Sequence, residues 1–194
     1  MHTSKQLTEQ ESLALITSMI EKAKGNIGDR ATSFLLWGWL VLVTCIAQFV
    51  LIQIEFDMHW VLWPVITPLG GIATAIIAYR ENKHNKDRGH ITRSIRFVWI
   101  GIGVTIFFVL LNGHQMGWVN CYAVLISLYG LGTFITGGYI RFRPFIIGGI
   151  LSWIISAFAY YLPFEYVVLA IGLSMICSYI IPAYLLKRAH AQKA

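Results

Sequence analysis

Apolar residues gather into six long runs, at about 33–54, 60–79, 97–111, 118–140, 144–162 and 164–186, with short polar stretches between them. A helix rising about 1.5 Å per residue needs about 20 such residues to cross the ~30 Å hydrocarbon core of a bilayer. Inside that core only a helix or a closed barrel satisfies every backbone N–H and C=O. The pattern therefore predicts an all-α membrane protein with six transmembrane helices. Ahead of the first run the period changes. Leu13, Ile16, Ile20 and Ala23 recur at helical spacing, flanked by Leu15 and Met19, opposite Gln10, Glu11, Thr17, Ser18, Glu21, Lys22 and Lys24. This reads as an N-terminal amphipathic helix. Thr8 with Glu11 forms a capping box at its start, and Gly25 is expected to end it.

The chain divides accordingly into a helix and linker (1–32), a six-helix membrane domain (33–186) and a basic tail (187–194). Charge orients it. All 15 Lys and Arg residues lie in the N-terminal segment, in the 80–96 stretch, at Arg141 and Arg143, or in the tail. The three alternate turns carry Glu55, Asp57 and Glu165 and no basic residue. Basic loops stay on the cytoplasmic side, so both termini are expected there. The net charge of +6 is accounted for by this bias, and no nucleic-acid partner is implied.

Composition agrees. Charged residues make up 12% of the chain, about half the ~25% of a soluble domain. The polar first 30 residues lack a cleavable signal peptide, so the first span is expected to act as the insertion signal. Cys45, Cys121 and Cys177 are too unevenly placed for a disulfide framework or a metal pattern, and read as small buried hydrophobes.

Apart from Glu165, which counts with the turn at the very start of the last run, the spans contain none of the ionisable groups that proton relays and ion-coupled carriers use. Every histidine (His2, His59, His84, His90, His114, His190) sits in a loop or terminus, and no metal, nucleotide or nucleophile motif occurs. His59, His114, Glu55, Asp57 and Glu165 share one side and read as solvated loop residues rather than a metal or proton site. No catalytic, cofactor-binding or metal-binding residue is expected, and no cofactor. The chain does not read as an enzyme.

Two other groups of residues stand out. Leu13, Ile16, Met19, Ile20 and Ala23 form a candidate docking face. Its polar side balances Glu9, Glu11 and Glu21 against Lys22 and Lys24, whereas helices lying on anionic lipid are Lys/Arg-rich. A protein surface fits it better: the chain's own spans, a cytosolic partner, or a second copy in a homo-oligomer. Within the bilayer, Gln48 is a polar exception suited to an interhelical hydrogen bond. Pro64, Pro68, Gly70 and Gly71 in span 2, with Gly132 and Gly137 in span 4, are candidates for tight helix packing or for shaping a path. Trp37, Trp39, Trp60 and Trp63 read as interfacial anchors. A faint repeat links LGGIATAIIAYR (69–80) with LGTFITGGYIR (131–141), and the entries FLLWGWL, RFVWIGIG and RPFIIGGI, which suggests duplicated hairpins running parallel.

The segments ESLALITSMIEKAKGNIGD, FLLWGWLV, WPVITPLGG, YGLGTFITGG and IRFRPFIIGGI together resemble small six-span integral membrane proteins of Bacteroidetes with no known activity. The resemblance covers nearly the whole chain. It implies a bacterial inner-membrane location and this topology, and it carries no functional residues. The expected function is that of a membrane subunit or signalling scaffold, which presents the N-terminal helix and basic loop to a cytosolic partner. The alternative is a small-molecule transporter or channel shaped by spans 2 and 4.

Overall fold

A computed structural model describes the backbone of residues 9–84 and 90–191, and the side chains of 31–77, 79–80, 94–189 and 191. Among the described residues the chain is helical and contains no strand. Helix α1 (Glu9–Gln53) leads through a 3-10 turn (His59–Val61) to α2 (Leu62–His84). Then come α3 (His90–Leu111), the single turn α4 (Gly113–Met116), α5 (Trp118–Ile140) and α6 (Arg143–Ala159). The last helix is α7 (Phe164–Met175), joined through a π-helical turn (Ile176–Ile180) to α8 (Ile181–Ala191).

Five stretches are long and apolar enough to cross a membrane: Ala31–Gln53, His59–Ile77, Ser94–Leu111, Trp118–Ile140 and Phe164–Ala189. The apolar helix α6, at 17 residues, is a sixth but shorter candidate, about 26 Å at 1.5 Å per residue. The protein is thus a helical bundle with five to six helices able to span a bilayer.

The expected end of the first helix at Gly25 is corrected by the structure. Helix α1 runs unbroken for 45 residues, through both Gly25 and Gly28. One interior glycine costs a helix only about 1 kcal/mol relative to alanine. The adjoining apolar span supplies a helix already nucleated, so extension into the polar segment proceeds residue by residue. Hydropathy likewise underestimates α3, which starts at His90 rather than 97, within the basic stretch. Apolar runs mark where a bilayer would end, not where a helix does. Thr8 lies outside the described residues. The backbone of Leu13, Ile16, Met19, Ile20 and Ala23 belongs to α1, but their side chains lie outside those described.

The bundle has a centre and two flanks. Helices α5 and α6 form its tightest hairpin. The α7–α8 helix packs against α1 on one side and against α5 and α6 on the other. Helix α2 leans on α1, and α3 on α5. Burial follows this arrangement: 67% of the apolar window of α7–α8 is buried inside the bundle, against 6% for α2 and 11% for α3. The α5–α6 crossing is backbone on backbone. A Cβ on Gly130 would lie 2.9 Å from the Gly149 carbonyl oxygen, and one on Gly149 would lie 2.7 Å from that of Gly130. A Cβ on Gly148 would approach Cys177 O to 2.6 Å, in the π-helical turn. That turn ends two residues before the buried Pro182. Proline has no N–H, and its ring crowds the carbonyl four residues back, so the helix widens rather than continuing in strict α register.

Among the described residues, two helices end in a left-handed residue that is not glycine. At the end of α1, Phe56 N–H donates to Leu51 O and Glu55 N–H to Ile52 O, with Glu55 at φ 56°. At the end of α5, Phe142 N–H donates to Gly137 O and Arg141 N–H to Gly138 O, with Arg141 at φ 52°. Both are Schellman caps, which satisfy terminal carbonyls and keep the connections tight.

Candidate functional site

The principal polar constellation lies where the α1–α2 connection folds over the bundle, at the end that carries Glu55, Asp57 and Glu165. Gln48 of α1 is fully buried. An amide in apolar surroundings must be paired, since leaving a buried donor or acceptor unmet costs about 1–3 kcal/mol. Three elements pair it. The Trp63 indole of α2 donates to Gln48 Oε1 at 2.7 Å. Gln48 Nε2 lies 3.2 Å from His59 Nδ1 in the 3-10 turn, and donates to the Tyr122 hydroxyl of α5 at 3.4 Å. Phe164, at the start of α7, packs against both rings, with centroids 6.0 Å from His59 and 5.3 Å from Tyr122. One glutamine thus ties together α1, α2, α5 and the connecting turn, with α7 as the wall. Among the described residues no buried side-chain nitrogen or oxygen lacks a partner.

A second feature is repeated. Trp37 Nε1 donates to Thr74 Oγ1 at 2.9 Å, and Thr74 Oγ1 donates to Gly70 O at 2.8 Å. Trp99 Nε1 donates to Thr136 Oγ1 at 3.2 Å, and Thr136 Oγ1 donates to Gly132 O at 2.7 Å. Each indole also lies over the glycine of its set. A Cβ on Gly70 would be 3.1 Å from the Trp37 ring, and one on Gly132 would be 2.8 Å from that of Trp99. Every member of the second set stands 62 positions after its counterpart: 37 and 99, 70 and 132, 74 and 136. The α1–α2 and α3–α5 hairpins therefore share one packing unit, running in the same direction. The third hairpin, α6 with α7, does not repeat this unit: its Trp153 donates to Ser127 O of α5 instead. There Ser152 and Ser174 hydroxyls meet at 2.8 Å, and glycine touches backbone directly.

The interior is filled by rings. Phe34 packs on Trp99, Phe145 and Tyr179 with centroids 5.7, 4.6 and 5.1 Å apart, and Tyr129 stands on Tyr179 at 6.1 Å. Aromatic pairs at such distances add about 0.5–1.5 kcal/mol beyond burial.

The sequence-selected residues thus separate. Gln48 occupies the polar constellation. Gly70 and Gly132 accommodate indoles, and Gly137 accommodates α6, where a Cβ would lie 2.7 Å from Ile146 N. Pro64, Pro68 and Gly71 are exposed on the outer side of α2, and a Cβ on Gly71 would meet nothing within 4 Å. Helices α2 and α5 have no Cα atoms within 8 Å of each other among the described residues. Trp37 and Trp63, expected as interfacial anchors, are instead internal donors, whereas Trp39 and Trp60 are exposed. His59, expected among solvated loop residues, belongs to the Gln48 constellation, while His114 is exposed. Among the described residues no three His, Cys, Asp or Glu side chains are grouped to hold a metal ion. Sequence reasoning missed Tyr122 and Trp63 as partners. The available signal was the lone glutamine, which obliged donors and acceptors to converge on it.

At the opposite end, Arg80, Arg96, Arg141, Arg143, Lys187 and Arg188 are all exposed. The polar part of α1, Glu9–Arg30, extends beyond the apolar stretch at this same end. Comparison with protein-family models, curated proteins and solved structures finds no match to this chain.

Proposed function

We propose that the chain is a non-enzymatic, multi-pass protein of a bacterial inner membrane whose basic end faces the cytoplasm. There α1 serves as a docking arm for a cytosolic protein or a second copy of the chain. One observation carries this reading. The 22 residues from Glu9 to Arg30 continue the first span as one helix without a break, projecting about 33 Å at 1.5 Å per residue. A flexible tether would transmit no torque or tilt, whereas a continuous helix couples whatever it docks to the packing of α1 inside the bundle. The apolar stripe of Leu13, Ile16, Met19, Ile20 and Ala23 supplies the contact face, with the basic 80–96 stretch as a second contact. The transporter reading has less support, because Pro64, Pro68 and Gly71 face outward and indoles cover Gly70 and Gly132.

The test is site-specific photo-crosslinking in native membranes. Photoreactive residues at Leu13, Ile16 and Ile20 should give a discrete protein adduct, and those at Glu11, Thr17 and Lys24 should not. Adducts to lipid alone, or equal adducts from both faces, would remove the docking role.

A further inference from the structure

We propose that His59 is an acid-sensitive latch: as the neutral imidazole it fastens the α1–α2 connection to buried Gln48, and protonation releases it.

The argument starts from Trp63. An indole N–H can only donate, so its 2.7 Å contact fixes which end of the Gln48 amide is oxygen. The other end is then the NH2 group, which also only donates. It points at His59 Nδ1 and at the Tyr122 hydroxyl. His59 Nδ1 must therefore accept, and the ring carries its proton on Nε2. Imidazolium has N–H at both nitrogens. Its Nδ1–H would face the amide N–H at 3.2 Å, donor against donor. The amide cannot turn over to meet it, because its nitrogen would then face the Trp63 N–H. The neutral latch closes and the charged one opens.

Around the ring stand Gln48 of α1, Trp63 of α2, the Tyr122 hydroxyl of α5 and Phe164 of α7. The titratable groups on these elements are Tyr122, with Cys45 of α1 and Cys121 of α5 within electrostatic reach of it, Glu55 and Asp57 on the connection itself, and Glu165 next to Phe164 in sequence. None of the three carboxylates makes an ion pair with the ring. Acid on this side of the bundle is therefore the stimulus the latch would read. The Schellman cap at Glu55 ties the start of the connection to α1, and within 57–61 the backbone bonds run only to the connection itself, His59 N–H to Phe56 O and Val61 N–H to Met58 O, so the segment released from Gln48 is 57–61.

The experiment places nitroxides at Asp57 and at the exposed Tyr161 of the α6–α7 turn, in nanodiscs. Their distance distribution is measured from pH 8 to pH 5. The unmodified latch should give a narrow distribution at pH 8 that broadens reversibly on acidification. His59→Asn, whose Oδ1 stands in for Nδ1 as a permanent acceptor, should stay narrow throughout. So should Gln48→Glu, whose carboxylate accepts from Trp63 and from either form of the ring. His114→Asn should behave like the parent. A parent distribution indifferent to pH, broadening that survives in His59→Asn, or its loss in His114→Asn would each overturn the proposal.

Discussion

Trp99 donates to Thr136 across the α3–α5 interface, and Thr136 in turn donates to the carbonyl of Gly132 beneath the indole. The same three-residue unit sits 62 positions earlier at Trp37, Thr74 and Gly70. Each unit brings a ring edge onto bare backbone and meets its one N–H with a hydroxyl. In a bilayer, where apolar side chains gain little by leaving lipid, such close packing and interhelical bonds hold helices together.

The wedge glycines should be unequal to their neighbours. Gly132→Ala places a Cβ 2.7 Å from Ile102 and 2.8 Å from Trp99, and overpacking of this kind costs about 1–3 kcal/mol. Gly71→Ala meets open space and gains about 1 kcal/mol of helix propensity. Thermal unfolding in mild detergent should lower the midpoint for the first variant and hold or raise it for the second.

The repeated indole bonds should show measurable coupling. A double-mutant cycle of Trp99→Phe with Thr136→Val, and the parallel cycle of Trp37→Phe with Thr74→Val, should each give a coupling of about 0.6 kcal/mol, typical of bonds between membrane helices. Equilibrium unfolding in mixed micelles measures it. Zero coupling in both cycles would reduce the units to shape complementarity alone.

Gln48→Leu should destabilise by about 1–3 kcal/mol, because the Trp63 N–H loses its buried acceptor. Removing both partners in Gln48→Leu/Trp63→Phe should recover part of that loss. The comparison separates an unmet donor from a simple packing defect.

Arg141→Gly should stabilise the α5–α6 turn by about 1 kcal/mol. A side chain in the left-handed region crowds its own carbonyl, and Arg141 holds φ 52° there. Glu55→Gly should act alike at the end of α1. The gain should appear as slower unfolding with no change in helix content by circular dichroism.

The proposed orientation has its own check. Single cysteines replacing Asp57 and Arg143, in a background without the native thiols, should react with an impermeant maleimide from opposite sides of a sealed membrane. Labelling of both from one side would refute it.

Hydropathy alone located the apolar runs, because length and composition of a membrane helix are local properties set by the thickness of the hydrocarbon core. It also separated the basic end from the acidic one, and it required that Gln48 find partners. It could not fix where helices stop: α1 crosses Gly25 because one glycine is a small cost on a helix already nucleated by the adjoining span. Nor could it distinguish Trp37 from Trp39 or Trp63 from Trp60. All four sit near the ends of apolar runs, and only the rotation of each helix against its neighbour decides which indole meets Thr74 or Gln48 and which stays exposed. The amino-acid order determined a bundle of apolar helices with one basic end and one acidic end. The tertiary structure decided which side chains meet, since partners such as Gln48 and Tyr122, 74 residues apart, depend on contacts between helices that no local pattern encodes.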